Sequence, residues 1–175
     1  MIWWDAALIA TAAAAVLAIL AAALKRDWLA LPAVPVLLGA LALRVVGVPL
    51  PQADRFAPLL TLALVALATA GGGPLVAFMF TVISLRDKKH GKKGERPERE
   101  VLRGGAPIGY LERFAVIGAV LVGQPAAVAI IVAVKGLGRF TELDSAAARE
   151  RFIVGTLGSL IWAATCATVI AGTWS

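Results

Sequence analysis

Long uncharged runs alternate with short charged stretches along this chain, and the length of each run predicts what it forms. A helix rises ~1.5 Å per residue, so about 20 uncharged residues cross a hydrocarbon layer ~30 Å thick. Ala6 to Leu24 supplies 19 such residues before Lys25-Arg26-Asp27. Trp28 to Leu43 supplies 16 more before Arg44, and extends to Val48 if Arg44 snorkels. Pro49, Pro51 and Pro58 mark a loop through Gln52, Asp54 and Arg55. Phe56 to Leu85 is uncharged over 30 residues and contains Gly71-Gly72-Gly73-Pro74. That quartet predicts a kink or an interruption, the latter being a broken helix whose freed backbone groups face a substrate. Trp3, Trp4, Trp28, Trp162 and Trp174 sit mostly near segment ends, as interfacial anchors do.

Residues 86–103 break the pattern, with eight Lys/Arg, four acids, glycines and a proline. They predict a solvated loop and are the strongest cytoplasmic marker in the chain. Beyond it, Phe114 to Val134 is uncharged for 21 residues, which suits one span. Gly123-Gln124-Pro125 lies in its middle and offers a second parse, in which Ile108 to Val122 and Ala126 to Arg139 fold into a hairpin. The hairpin leaves 15 of the 17 Lys/Arg inside, against 11 for a single span, so the positive-inside rule prefers it. Each arm is short, about 15 residues or ~22 Å, and must reach the interface through its charged ends or be shielded as a re-entrant hairpin. Phe152 to about Gly172 is the last run. The sum is six membrane segments with both termini outside. No Lys/Arg-rich region precedes the first run and Asp5 opens it, so that run is expected to be a retained helix.

Composition settles the class. The 175 residues are 60% apolar and 16% charged, with a mean hydropathy of +0.86, against ~45–50% apolar and ~25% charged in soluble domains. That argues against a soluble enzyme, a nucleic-acid-binding module and a disordered regulator. Unbroken apolar runs do not match the alternation of a transmembrane β-barrel. The expectation is an all-α, polytopic membrane protein, with residues 1–175 as a single domain. The charge of +6 then reports orientation in a bacterial inner membrane and contact with anionic lipid through 86–103. That loop has no aromatic residue to stack bases, so nucleic acid is not an expected partner. With one cysteine, one histidine and none of the common hydrolase, metalloprotease or phosphate-loop signatures, no enzyme activity, metal or cofactor is expected.

Glu112, Arg113, Lys135 and Arg139 flank the arms of the hairpin. With the turn at Gln124, Glu112 and Lys135 come level, ~17 Å from it, and Lys135 and Arg139 share one face at i, i+4. These charges read either as snorkelling topology signals or as an inward-facing polar site in which Glu112 neutralises Lys135. Thr156 and Ser159 are candidates to add hydroxyls to the cluster. Gly105-x-x-x-Gly109, and Gly155 four residues before Ser159, read as helix-packing pairs.

The same stretch carries a family resemblance. Gly109-Tyr110-Leu111-Glu112-Arg113, Gly123-Gln124, Ala133-Val134-Lys135, Arg139-Phe140 and Gly155-Thr156-Leu157-Gly158-Ser159 follow in order. Over about residues 104–160 this resembles the C-terminal part of an uncharacterised bacterial membrane family, a domain of unknown function. Its members carry I-G-x-L-E-R, A-K-S, R-F and G-T-L-x-S. Here Val134 separates Ala133 from Lys135, and Gly136 stands where the family has serine. The resemblance implies that Glu112, Arg113, Lys135 and Arg139 are a recurring set, and it implies no activity.

Two functional expectations follow. One is binding or transport of a small ligand, anionic or a lipid phosphate, at the Glu112/Arg113/Lys135/Arg139 cluster near the cytoplasmic leaflet. The other is a non-catalytic accessory subunit of a larger membrane complex, docking through its basic loop. A homo-oligomer is compatible with the first.

Overall fold

The computed structural model describes residues 2–47, 56–89, 105–139 and 145–173, with side chains over 5–47, 57–85, 105–138 and 145–173. Across these residues the chain is helical, without a strand: α1 (Ile2–Leu24), α2 (Ala33–Val45), α3 (Phe56–Lys89), α4 (Gly105–Leu121), α5 (Ala127–Arg139) and α6 (Ala146–Ala171). Four stretches, Asp5–Leu24, Asp27–Val45, Ala57–Leu85 and Ala146–Ala171, are long and apolar enough to cross a membrane. The architecture is that of a helical membrane protein. Leu62, Ile130, Leu137 and Ile161 lie more than 60% exposed on its outer surface. Such faces are costly in water and at home in hydrocarbon.

Helix α3 is the axis of the bundle, packed by α1, α4 and α6. Against α1 the contact is close because the facing side chains are small: Ala14, Ala15 and Ala18 lie buried with Leu67 and Ala70 of α3 and Ala33 of α2. Near the opposite helix ends Leu37, Leu60, Leu64, Ile117 and Ile170 join α2, α3, α4 and α6. The Thr61 and Thr173 hydroxyls meet there at 3.4 Å, so the start of α3 and the end of α6 share one end of the bundle. The other end holds Lys25, the starts of α4 and α6, and the last turns of α3, where Arg151 sits 5.4 Å over the Phe80 ring.

Local chemistry explains the boundaries. Ser145 caps α6, its Oγ accepting from the Ala148 N–H at 3.1 Å. Helix α4 ends with Gly123 at φ +72° and the Gln124 N–H donating to Ala119 O at 2.8 Å, a left-handed close that glycine adopts without steric cost. The chain thus reverses between Leu121 and Ala127, around Gln124 as the sequence predicts, and α4 and α5 form a hairpin. Helix α1 closes in the same way but on Lys25, at φ +54°, with the Arg26 N–H donating to Ala21 O at 3.1 Å. A lysine in that region costs about 1–2 kcal/mol.

The second uncharged run is long and apolar enough to span over Asp27–Val45, opening as the 3-10 turn Asp27–Ala30 before α2 begins after Pro32. Two expectations are corrected. Helix α3 is not interrupted at Gly71–Pro74; it continues through the quartet for 34 residues, or ~51 Å. Trp162 is no interfacial anchor, because it lies mid-helix in α6 and its indole N–H donates to Leu67 O of α3 at 3.2 Å. The side chains of Trp3, Trp4 and Trp174, and the basic segment from 90 to 103, lie outside the described residues.

Candidate functional site

Adjacent residues on a helix point ~100° apart, and this separates the charges that the sequence groups together. Arg113 turns from α4 into the bundle and is 5% exposed. Its Nε donates to the Thr69 carbonyl at 2.7 Å and its Nη1 to the Ser159 hydroxyl at 2.9 Å. The Tyr110 ring covers the guanidinium with its centroid 5.0 Å from Cζ. Among the described residues no carboxylate lies within ion-pair distance of it. Glu112, next to it in the chain, acts on it electrostatically without touching it. A cation buried against neutral acceptors is costly, several kcal/mol if nothing repaid it, and each hydrogen bond to a charged group returns about 1.5–3 kcal/mol.

The Gly71-Gly72-Gly73 run is what lets the guanidinium reach α3. A Cβ on Gly72, near the midpoint of α3, would lie 2.8 Å from Arg113 Cδ and 3.1 Å from Ser159 Oγ. On Gly71 it would lie 3.1 Å from the Trp162 indole nitrogen. These glycines therefore bare the α3 backbone so that α4 and α6 can dock side-chain donors on Thr69 O and Leu67 O. Pro74 follows, and its missing N–H leaves Ala70 O without its usual helical donor. The sequence reads this quartet as a kink or an interruption; in the fold the helix is continuous there and the quartet is a docking platform.

A guanidinium has five N–H donors, and the two bonds above leave both of those on Nη2 and one on Nη1. Among the described residues no buried side-chain nitrogen or oxygen lacks a partner, so Nη2 reaches open space. Arg113 is among the residues lining a cleft of about 330 Å³. Its floor is α3 at Gly73, Pro74 and Ala77, one wall is α1 at Ala22, and the other is α4 at Gly105, Ala106, Gly109, Tyr110 and Arg113. Lys25 and Asp27 stand at its rim, and Asp27 has an interaction of its own. Gly109 is open for a reason: a Cβ there would sit 3.3 Å from Nη1 and 3.8 Å from Nη2, at the end of the guanidinium that remains available. The Gly105-x-x-x-Gly109 pair, read from sequence as packing, thus clears the cleft.

Glu112 and Lys135 form the other half. Their side chains pair directly across the hairpin, 11% and 19% exposed. Lys135 Nζ also lies 6.0 Å from the centroid of the Phe152 ring of α6. Val128, Ile131 and Val132, on the same face of α5 as Lys135, pack against Val116, Leu160 and Ala163. The ion pair therefore clamps the hairpin at its charged ends while the apolar seam holds its middle.

The expected four-charge cluster is accordingly split. Glu112 meets Lys135; Arg113 and Ser159 meet each other on the α3 side of α4; Thr156 is buried on α6, three residues before Ser159. The Arg139 side chain lies outside the described residues. Thr69, Tyr110, Lys25 and Ala22 also border this region and are not among the site residues that the sequence reading proposes. A glycine run in a membrane helix, read beside an arginine in another, was the available signal: a buried guanidinium needs acceptors, and bared backbone supplies them. Comparison of the chain with family models, curated proteins and solved structures finds no match.

Proposed function

We propose that this is a small integral membrane protein that binds, and in doing so retains or moves, an anionic ligand at Arg113. The cleft volume falls in the range of roughly 300–1,000 Å³ that ligand pockets occupy. Its single carrying observation is the buried guanidinium of a cleft-lining arginine, with one N–H held by Thr69, one by Ser159 and three N–H donors left over. Fixed on one side and open on the other, the group is preorganised for a phosphate or carboxylate, which it can take in bidentate geometry. Lys25 and Asp27 also line the cleft and together add no net charge, so the positive charge of the site is that of Arg113. The Glu112–Lys135 clamp holds α4 in place. This reading moves the ligand site from the expected four-charge cluster to the α3 side of α4.

The hairpin completes a six-segment arrangement in this reading, with residues 86–103 cytoplasmic and both termini outside a bacterial inner membrane. Support comes from the 15 of 17 basic residues this leaves at the inner side. The resemblance of residues 104–160 to an uncharacterised membrane family implies, in this reading, that Glu112, Arg113, Lys135 and Arg139 recur together.

The test is ligand-linked stability of the full chain in detergent, with inorganic phosphate and glycerol phosphate as probes. Ligand at 100 times its Kd adds about 2.7 kcal/mol to stability. Wild type and Glu112→Gln are expected to gain thermal stability with either probe, and Arg113→Gln to gain none. Ser159→Ala, which keeps the charge, is expected to bind more weakly than wild type. Equal stabilisation of Arg113→Gln and wild type overturns the assignment. Recovery of the chain solely in a stoichiometric complex with other proteins, unresponsive to both probes, favours the accessory role instead.

A further inference from the structure

We propose that the Arg113 cleft is loaded from the side, by the phosphate headgroup of a lipid whose chains lie in the bilayer between α1 and α4. This rests on the anion-binding reading above and adds the substrate class and the route.

The route follows from how the walls are arranged. Helices α1 and α4 both pack on α3 and scarcely touch each other. Residues of both border the cleft, and with α1 a candidate membrane span we take the gap between the two walls as the lateral route from the bilayer. The residues along that opening are small, namely Ala22, Gly73, Ala77, Gly105, Ala106 and Gly109. They offer an acyl chain or glycerol backbone space without polar demands. The outer surfaces of the two walls are apolar as well: Leu24 on α1 is 60% exposed, and Ile108 and Leu111 on α4 are 48% and 69% exposed.

The polar groups of the lining are few: the Arg113 guanidinium, the Tyr110 side chain, Lys25 and Asp27. One buried cationic group in the α4 wall, the Lys25 and Asp27 pair of opposite charge, and small apolar residues over most of the remaining lining describe the complement of an amphiphile. Size points the same way. A cleft of about 330 Å³ is far larger than a five-atom phosphate ion, and ligands in such pockets have most of their surface buried. Depth adds a third argument. Arg113 is eight residues into α4, ~12 Å along the helix from Gly105. A free anion reaching it must shed its hydration without apolar contacts in return, whereas a lipid brings its chains into an environment they already favour. The anchoring group is Arg113, only 5% exposed and lining the cleft, whose Nη2 makes no hydrogen bond among the described residues.

The experiment places a diazirine-bearing residue at position 106 on the α4 wall and, as control, at position 130, where Ile130 is 65% exposed on α5. The full chain is photolysed in vesicles of phosphatidylcholine with a minor share of phosphatidylglycerol, and adducts are identified by mass spectrometry. At position 106 phosphatidylglycerol is expected to be captured roughly tenfold above its share, and Arg113→Gln is expected to remove the excess. At position 130 both lipids are expected in proportion to abundance, whatever occupies position 113. Native mass spectrometry of the unsubstituted chain gives a second readout that no probe residue can disturb. It should retain one anionic phospholipid under activation that strips the others, and Arg113→Gln should not. Glycerol phosphate binding with neither lipid enrichment nor retention overturns lateral lipid loading and leaves the anion site standing. Absence of both soluble and lipid binding overturns the two together.

Discussion

Replacing Gly72 by alanine tests the centre of the fold with one methyl group. In an unencumbered helix this change is favourable by about 0.8–1.0 kcal/mol, because alanine is the better helix former. At Gly72 the new Cβ would stand 2.8 Å from Arg113 Cδ and 3.1 Å from Ser159 Oγ. Real Cβ contacts do not reach the first of these distances, so α4 must retreat or the arginine must leave its rotamer. Overpacking of this kind costs about 1–3 kcal/mol. Displacing the guanidinium also weakens bonds to Thr69 O and Ser159 Oγ worth about 1.5–3 kcal/mol each. Against a gain near 1 kcal/mol the loss prevails, and Gly72→Ala is expected to be destabilised by about 1–4 kcal/mol. Gly118→Ala is the matched control. It lies in α4 with nothing within 4 Å of its would-be Cβ, so the helix-propensity gain should survive there. Cys166 provides the assay: the chain's sole cysteine is 0% exposed in α6, so maleimide labelling across a denaturant series reports unfolding. If Gly72→Ala matches or exceeds the stability of Gly118→Ala, Arg113 does not pack across α3 as described.

Two further outcomes are expected. The Glu112–Lys135 pair should show coupling of about 0.5–3 kcal/mol in a double-mutant cycle of Glu112→Gln and Lys135→Met, each single variant losing more than its share because it strands the other charge; a coupling of zero by the same thiol-labelling assay would mean the clamp is not formed. Lys25→Gly removes a left-handed lysine strained by about 1–2 kcal/mol, offset by about 0.4–1 kcal/mol of added unfolded-chain entropy. It should therefore raise the thermal midpoint of the unliganded protein while weakening glycerol phosphate binding, and a lowered midpoint would contradict the strain.

Much of the architecture is legible without a fold, because a membrane makes each element answer to its own run length and charge. The uncharged runs before Lys25, across Phe56 to Leu85 and after Phe152 become α1, α3 and α6 with little adjustment. The hairpin is legible too, since Gly123 supplies the one left-handed residue needed to close α4, and equal helical rise then sets Glu112 opposite Lys135. These are local properties: length, periodicity and turn chemistry act within a few residues of where they are read.

The site is different, because its determinants are rotational and lie between helices distant in sequence. Neighbouring Glu112 and Arg113 look like members of one cluster along the chain, yet ~100° of helical rotation sends one to α5 and the other to α3 and α6. Gly71–Pro74 looks like a break because glycine and proline weaken an isolated helix, but surrounding helices bring donors to the bared carbonyls and the helix persists. Nor does any pattern announce that Ala22, Gly73 and Gly109, far apart in sequence, border one space. Which faces meet is decided by the sum of packing over the whole bundle, and a cleft is the surface that sum leaves uncovered.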